Sequence, residues 1–520
     1  MKKIISIIIS NIIAMSLFAQ VNIGGKPYSI ENELRTRALI KNEYDKVRFS
    51  SLDLEKLTRE DISDESQGYP PRFGYSYEVK YDLTNSGIWF ELENGNRVWN
   101  LEIYCPAAKS INLLYDKFNL PDNTTLYIYN SHKTHIIGGF TKQNNKGSKE
   151  KPGKFGTGLV FGERIILEYY EPKAVKGEGI ISISRIIHGY RYVNIENNVR
   201  SFGDAPCSVN INCSPEGDDW QKEKTSVALT IVNGNRWCTG SLINNVRNDG
   251  TFYFLTANHC LDGWAISRPL DAIDNPDAND WSFYWNYENP QCANGKDFTS
   301  PSTVGAIVKA NGSLSDFALL QLSETPYELT PQIKVYFNGW DRRVPSGKTV
   351  GIHHPEGDMK KISIANNSPI TNGYTWRVYW DTLSNGNSIL YGGSSGSPLY
   401  NNQKKVIGQT WSVNGFACSS QYAYYGKFDV SWNSNGSIPE RKLSNWLDPD
   451  NTNVMFLDGC GDVNFTNQIV TVNTTVTSCG TLNVQNVTVS NNAKLTLDAP
   501  GDVIINSPFE VQFGSQLDVQ

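Results

Sequence analysis

Apolar and polar residues alternate with a period of two along much of the chain, the pattern of strands that bury one face. It is plain in Ile88-Trp89-Phe90-Glu91-Leu92 and in Arg97-Val98-Trp99-Asn100-Leu101-Glu102-Ile103-Tyr104. It returns as strand-like runs in Ser226-Val227-Ala228-Leu229-Thr230-Ile231-Val232 and Thr251-Phe252-Tyr253-Phe254-Leu255, set between turns rich in Asn, Gly and Asp. Helical spacing is scarce; Arg441-Lys442-Leu443-Ser444-Asn445-Trp446-Leu447 is its clearest piece. Near the end, short alternations recur at Leu482/Val484, Val487/Val489, Leu495/Leu497, Val503/Ile505 and Phe509/Val511/Phe513, with few basic residues among them. That stretch predicts a small β-meander or the start of a β-solenoid. The distribution points to an all-β chain built of barrels or sandwiches. Texture divides it into residues 20–200, strand-rich; 201–459, which holds nearly all the candidate chemistry; and 460–520, a small β-rich module.

The first residues follow another rule. Lys2 and Lys3 precede a largely apolar run from Ile4 to Phe18, closed by Ala19 and Gln20. A positive start, a short apolar stretch and a small residue at its end describe a secretory signal over residues 1–19, the run being shorter than the ~20 residues that span a bilayer. Nine cysteines agree with an oxidising destination. None forms a Cys-x-x-Cys pair or stands at ligand spacing from a histidine, so neither structural zinc nor any other metal or cofactor is called for. Cys460 and Cys479 can pair in the tail, which leaves Cys105 as the odd one. A net charge of −6 over 520 residues argues against a nucleic-acid or membrane-surface role. The basic, Gly-rich stretch Lys142–Lys154 reads as a solvated loop.

Three short segments carry chemistry. In Gly393-Ser394-Ser395-Gly396-Ser397-Pro398, flanking glycines permit a tight turn that exposes a hydroxyl and aims backbone N–H groups at one point. A serine needs a base, and His259 stands directly after an apolar strand in Leu255-Thr256-Ala257-Asn258-His259-Cys260. A base needs a buried acid to hold its tautomer, and Asp316 precedes the apolar run in Ser315-Asp316-Phe317-Ala318-Leu319-Leu320. Adjacent His353 and His354 on a strand point to opposite faces and cannot share one ion, which leaves them a structural role.

The order His259, Asp316, Ser395 and the surrounding sequence resemble the chymotrypsin-like serine peptidases, with Cys238-Thr239-Gly240-Ser241-Leu242 similar to that family's Cys-Gly-Gly-Ser-Leu strand. A further resemblance, to the bacterial lysyl endopeptidases, rests on Cys213-Ser214-Pro215-Glu216-Gly217-Asp218, Tyr284-Trp285-Asn286-Tyr287, Gly339-Trp340-Asp341-Arg342-Arg343, Ile352-His353-His354-Pro355 and Leu443-Ser444-Asn445-Trp446-Leu447-Asp448-Pro449. It covers roughly 201–459, with a fainter extension to His188-Gly189-Tyr190-Arg191. It implies a double β-barrel peptidase with Ser395, His259 and Asp316 as its triad and the Gly393 and Ser395 amides as oxyanion hole. It also implies disulfides Cys207–Cys418, Cys213–Cys292 and Cys238–Cys260, protein or peptide substrates, and a prosegment over 20–200 that acts as its own inhibitor. The mature chain would then start within a few residues of Ser201. The tail is similar to the C-terminal modules of secreted Bacteroidetes proteins, which implies sorting or surface attachment; simple packing on the enzyme is the alternative.

Two departures from the family pattern matter. Trypsin has an Asp before the nucleophile to capture the freed N-terminal ammonium; Ser394 stands here, so prosegment removal rather than a new buried ion pair is the expected trigger. Lysyl endopeptidases hold the substrate lysine with an Asp shortly before a Tyr-Gly pair; aligning Tyr425-Gly426 puts Ala423 at that point. Ile389, Trp411, Ser412 and Ala423 then make an uncharged pocket that disfavours Lys and Arg. Asp429 is the alternative anchor if the loop is displaced.

Overall fold

The computed structural model describes residues 25–32, 45–191, 207–262, 277–292, 301–326, 333–414 and 422–520. The expected signal sequence, the processing region around Arg200 and Ser201, and Cys418 lie outside them. Strands carry the fold. In Arg97–Tyr104 the alternation predicted from sequence turns Trp99, Leu101 and Ile103 into one apolar core, each fully buried.

That strand belongs to a six-stranded sheet with Asp45–Arg48, Ile88–Glu91, Thr125–Asn130, Ile136–Phe140 and Arg164–Glu171. A five-stranded sheet of Gly74–Asp82, Ser110–Asn119, Gly153–Gly156, Val160–Phe161 and Ile180–Gly189 supplies Ile111, Leu113, Tyr115, Phe118 and Ile183 to the same core. Inward residues from both sheets fill the space between them, as in a sandwich.

Next comes a closed six-stranded barrel of Val227–Val232, Arg236–Leu242, Tyr253–Ala257, Phe317–Leu322, Ser302–Gly312 and Ala278–Tyr284. A ten-stranded sheet follows, running through Thr349–His353, Lys361–Ala365, Pro398–Tyr400, Val406–Asn414 and Tyr422–Lys427. These two bodies are the predicted all-β, chymotrypsin-like architecture. One hydrophobic cluster runs from the N-terminal sandwich into the barrel, from Trp99 and Leu113 to Phe254 and Trp281.

The sequence pattern missed Leu54–Ser66, a helix whose N-terminus is capped by Asp53 accepting from the Lys56 amide at 3.0 Å. Its apolar face is thin: Leu57 and Asp61 are its buried residues. What holds it is charge. Buried Asp61 accepts from Arg72 and Arg191 at 2.8 Å each and from the Tyr190 hydroxyl at 2.7 Å.

The solvated loop expected over Lys142–Lys154 is exposed at Lys142, Gln143, residues 148–151 and Lys154. It touches the barrel at a few points: Asn144 is buried, Lys146 donates to the carbonyl of Val304 beside Glu324, and Lys154 pairs with Asp277.

The tail resolves the choice between meander and solenoid. Val463–Val470, Leu482–Val489 and Val503–Val511 pair in parallel, as do Thr474–Thr477, Lys494–Asp498 and Gln516–Val519. A meander needs antiparallel neighbours, so the module is a short parallel solenoid with Leu482, Val484, Val487, Val489, Leu495 and Leu497 inside its middle coil. It is tied to the enzyme at its base. Cys460–Gly461 pairs with Tyr336–Phe337, and Cys479 is fully buried with Sγ 3.3 Å from the Asn248 carbonyl oxygen.

Replacing Asp61 by Ala removes the buried carboxylate that Arg72 and Arg191 share and leaves them only the more exposed Glu60 and Glu65, which costs up to about 3 kcal/mol. We expect the N-terminal sandwich of Asp61→Ala to unfold earlier in urea, and a midpoint equal to the parent would contradict this account of the helix.

Candidate active site

The strand Tyr253–Ala257 pairs antiparallel with Phe317–Leu322, Ala257 lying opposite Phe317. The residues just outside those ends are therefore brought together. His259 Nδ1 lies 2.7 Å from Asp316 Oδ2, and the His259 amide donates to Asp316 Oδ1 at 2.9 Å. Both side chains are buried. Burial pushes the Asp316 carboxyl above the ordinary carboxylate range, and the His259 ring beside it pulls the other way. Asp316 adopts a left-handed backbone, φ 55°, which Asp tolerates better than most residues.

The second β-body clamps that turn. Gln409 Nε2 donates to the Ser315 carbonyl at 2.7 Å, and Asn435 Oδ1 accepts from the amides of Leu314 and Ser315 at 2.9 and 3.2 Å. A side chain at Gly426 would collide with the Ser315 carbonyl, so glycine is required where the bodies meet.

The nucleophile candidate sits on a turn fastened to the same seam. Thr239 donates its amide to the Ser395 carbonyl at 2.8 Å and its hydroxyl to the Gly393 carbonyl at 2.8 Å. Gly393 and Gly396 have φ of +86° and +84°. Among the described residues, the amides of Gly393 and Ser395 donate to no chain oxygen, whereas those of Ser394, Gly396 and Ser397 all do. Ser395 is half-exposed.

The expected pocket residues separate into two groups. Ala423, 1% exposed, lies opposite Val378 and Val413 in an apolar cluster with Trp376, Leu390 and Tyr425. Ile389 is buried next to Leu390. Trp411 and Ser412 are half-buried beyond a bulge in Val406–Asn414. Asp429 is exposed in the first turn of the helix Phe428–Asn433, with its charge beside Arg342, and does not enter the cluster. Cys213–Cys292, Cys238–Cys260 and Cys460–Cys479 are formed, and Cys105 is free and buried. Cys207 is also disulfide-bonded, its expected partner Cys418 being outside the described residues.

His353 and His354, expected from sequence to be structural, are both buried, and His354 stacks on Tyr287 while its Nδ1 lies 2.9 Å from the Asp358 carbonyl oxygen; what sequence reasoning missed is their place beside the serine turn. The segment that follows cradles the turn: Glu356 donates its amide to the Gly392 carbonyl at 2.6 Å.

A closed barrel beside a second β-sheet body, with a buried His–Asp pair and an amide-lined serine turn at their seam, defines a chymotrypsin-like serine endopeptidase. The comparisons show what the chain is similar to. Residues 202–426 match the family described as lysyl endopeptidase, C-terminal domain. Lysyl endopeptidase of Pseudomonas aeruginosa is 23% identical over 330 residues, spanning 60% of this chain and 67% of that protein. Two solved structures also match at 14% identity, each over 41% of this chain. A serine endoprotease from Yersinia pestis is covered over 63% of its length at TM-score 0.26, and the MamO protease domain from Magnetospirillum magneticum over 96% at 0.26.

The N-terminal region reaches this site. Phe73 stacks on Trp237, Pro71 accepts from the Trp237 amide at 3.0 Å, and a side chain at Gly392 would come within 2.5 Å of Pro71 Cγ. Under that contact, desolvation and then the Glu65 carboxylate push the Glu356 carboxyl from 4.5 up to about 7, while Arg191 opposes them; Tyr391 is the other titratable neighbour. A carboxyl whose docked pKa is raised stabilises docking fully below its ordinary value and loses that contribution as pH rises through about 7. Limited proteolysis of the Gln67–Phe73 segment should therefore accelerate above pH 7, and Glu356→Gln should flatten that dependence. An unchanged pH profile in the variant would assign the effect elsewhere.

Proposed function

We propose that Ser395 is the nucleophile, His259 the general base and Asp316 the orienting acid of a serine endopeptidase that works through an acyl-enzyme. The observation that carries this is the buried 2.7 Å contact from His259 Nδ1 to Asp316 Oδ2. With Nδ1–H donated to the carboxylate, Nε2 is left free of a proton and able to take one from Ser395. The imidazolium so formed has its counter-charge in place. The peptide carbonyl carbon gains the Ser395 oxygen as its own oxygen becomes an anion, and the amides of Gly393 and Ser395 supply two donors to it. Collapse expels the amine, which takes the proton back from His259. Water then repeats the sequence on the ester.

The pocket reading follows from charge. The cluster around Ala423 is apolar, and Asp429 is turned away from it, so a lysine ammonium entering there loses water and gains no partner. Cleavage after uncharged side chains is the resulting specificity. Export is supported by the leader at 1–19 and by three formed disulfides. The prosegment's role as inhibitor is supported by Pro71 against Gly392 at the rim of the serine turn. The anchored base of the tail supports a packing role for its first coil, while the outer coil, with Val511, Leu517 and Val519 exposed, remains available for sorting or attachment.

Ser395→Ala, His259→Ala and Asp316→Asn should each lower kcat by on the order of 10⁴-fold, and the triple variant should lose little more, because the three move one proton as a unit. Multiplying losses would break that reading. For specificity, kcat/KM on peptides differing only before the scissile bond should favour small or apolar residues over lysine by about 100-fold or more, the cost of an unpaired buried ammonium. Ala423→Asp should narrow or reverse that ratio; a parent enzyme that prefers lysine would refute the neutral pocket.

A further inference from the structure

We infer that His353 is a positioning residue that holds the oxyanion turn in its working shape through the side chain of Ser394; this rests on the serine-peptidase reading above. His353 Nδ1 lies 2.9 Å from Ser394 Oγ, and its Nε2 lies 2.9 Å from Ser363 Oγ. All three residues are fully buried. The strand register fixes the relay. His353 ends Thr349–His353 opposite Lys361 of Lys361–Ala365, with Ser363 further along that neighbour.

A turn made from glycines needs such a brace. Gly393 at φ +86° permits the conformation that frees its amide, but glycine also reaches the alternatives at little cost. Ser394 lies between the two oxyanion amides, so its own φ and ψ set the orientation of the peptide planes on either side. Each polar group of Ser394 is fastened. Its amide donates to the Tyr391 carbonyl at 3.1 Å, its carbonyl accepts from the Ser397 amide at 3.0 Å, and its hydroxyl meets His353. Thr239 and Glu356 secure the carbonyls of Gly393 and Gly392.

Burial and the nearby Lys361 charge push the His353 ring down to about 3, so it is neutral at ordinary pH. A neutral imidazole presents one donor and one acceptor, and two serine hydroxyls, each able to be either, match both ends. The brace comes from within the folded chain and does not wait for a freed N-terminus. In the full-length chain the turn is already set while Pro71 lies against Gly392.

The test uses the full-length chain, processed in one host, with Ser394→Ala, His353→Phe and His353→Gln. The readouts are kcat, KM, affinity for a peptide boronate that mimics the tetrahedral state, affinity for the product peptide, and the thermal midpoint. Removing one oxyanion donor costs about 100-fold or more in kcat, so loosening both should cost about 10–100-fold. We expect that loss in kcat, a matching loss in boronate affinity, and KM and product affinity within about threefold of the parent. His353→Gln, whose amide can still donate or accept toward Ser394, should recover part of it. Parent-like kcat and boronate affinity in Ser394→Ala would overturn the proposal, as would equal losses of boronate and product affinity. Ser394→Ala, which removes a single oxygen, decides the matter if His353→Phe does not fold. Ser395→Ala separates the two readings. If it is inactive while Ser394→Ala is unimpaired, only the brace fails; if it is active, the serine mechanism fails and the brace with it.

Discussion

A carboxylate taken out of water must be given partners by the chain that buries it. Asp316 satisfies that requirement with the ring and amide of His259, which fixes where two strand ends of the barrel must meet. It is then enclosed by the second β-body, through Gln409, Asn435 and the bare backbone of Gly426 pressing on Ser315. The seam between the bodies is thus determined by one buried charge. The serine turn inherits its position, because Thr239, in the strand stapled to the histidine segment by Cys238–Cys260, holds both Gly393 and Ser395.

The N-terminal sandwich is joined to this seam by two different kinds of force. Its broad attachment is apolar and continuous with the barrel core, which gives strength without direction. Its contact at the site is polar and specific: Asp61 gathers Arg72, Arg191 and Tyr190, and the chain between them threads Pro71 and Phe73 onto Trp237. The apolar attachment carries no charge, so a pH-dependent change at this contact enters through Glu356 beneath it.

The strands and the meeting of His259 with Asp316 were legible because each has a local signature. Period-two alternation picks out the face of Trp99, Leu101 and Ile103 that enters the core, but the strand is not half-buried: Val98, Asn100 and Glu102 on its other face are covered too. The blocks around His259, Asp316 and Ser395 each pair a strand end with a turn. The helix Leu54–Ser66 was not legible, since its anchor Asp61 binds residues up to 130 positions away and shows no apolar stripe. The contacts of Lys146 and Lys154 with Glu324 and Asp277, in a loop otherwise exposed, were hidden for the same reason: they form only once the barrel is folded. The parallel pairing of the tail was half legible, because alternation gives the faces of a strand but not the direction of its neighbour.

Ser394, rather than an acidic residue, precedes Ser395, and this bears on how the turn responds to pH. A turn held by an ammonium–carboxylate pair comes apart when either partner loses its charge. A turn held by Ser394, a neutral His353 and Ser363 has no charge to lose until the ring protonates, at about 3. Glu356, whose carboxyl is pushed up to about 7 by burial, stands on the other side of the same loop and under the N-terminal region. Titration at Glu356 therefore bears on the docked N-terminal region and leaves the brace unchanged. The shape of the serine turn and the contact of the N-terminal region above it are in this way placed on separate side chains, His353 and Glu356, which flank His354 and Pro355 and share one short segment of backbone.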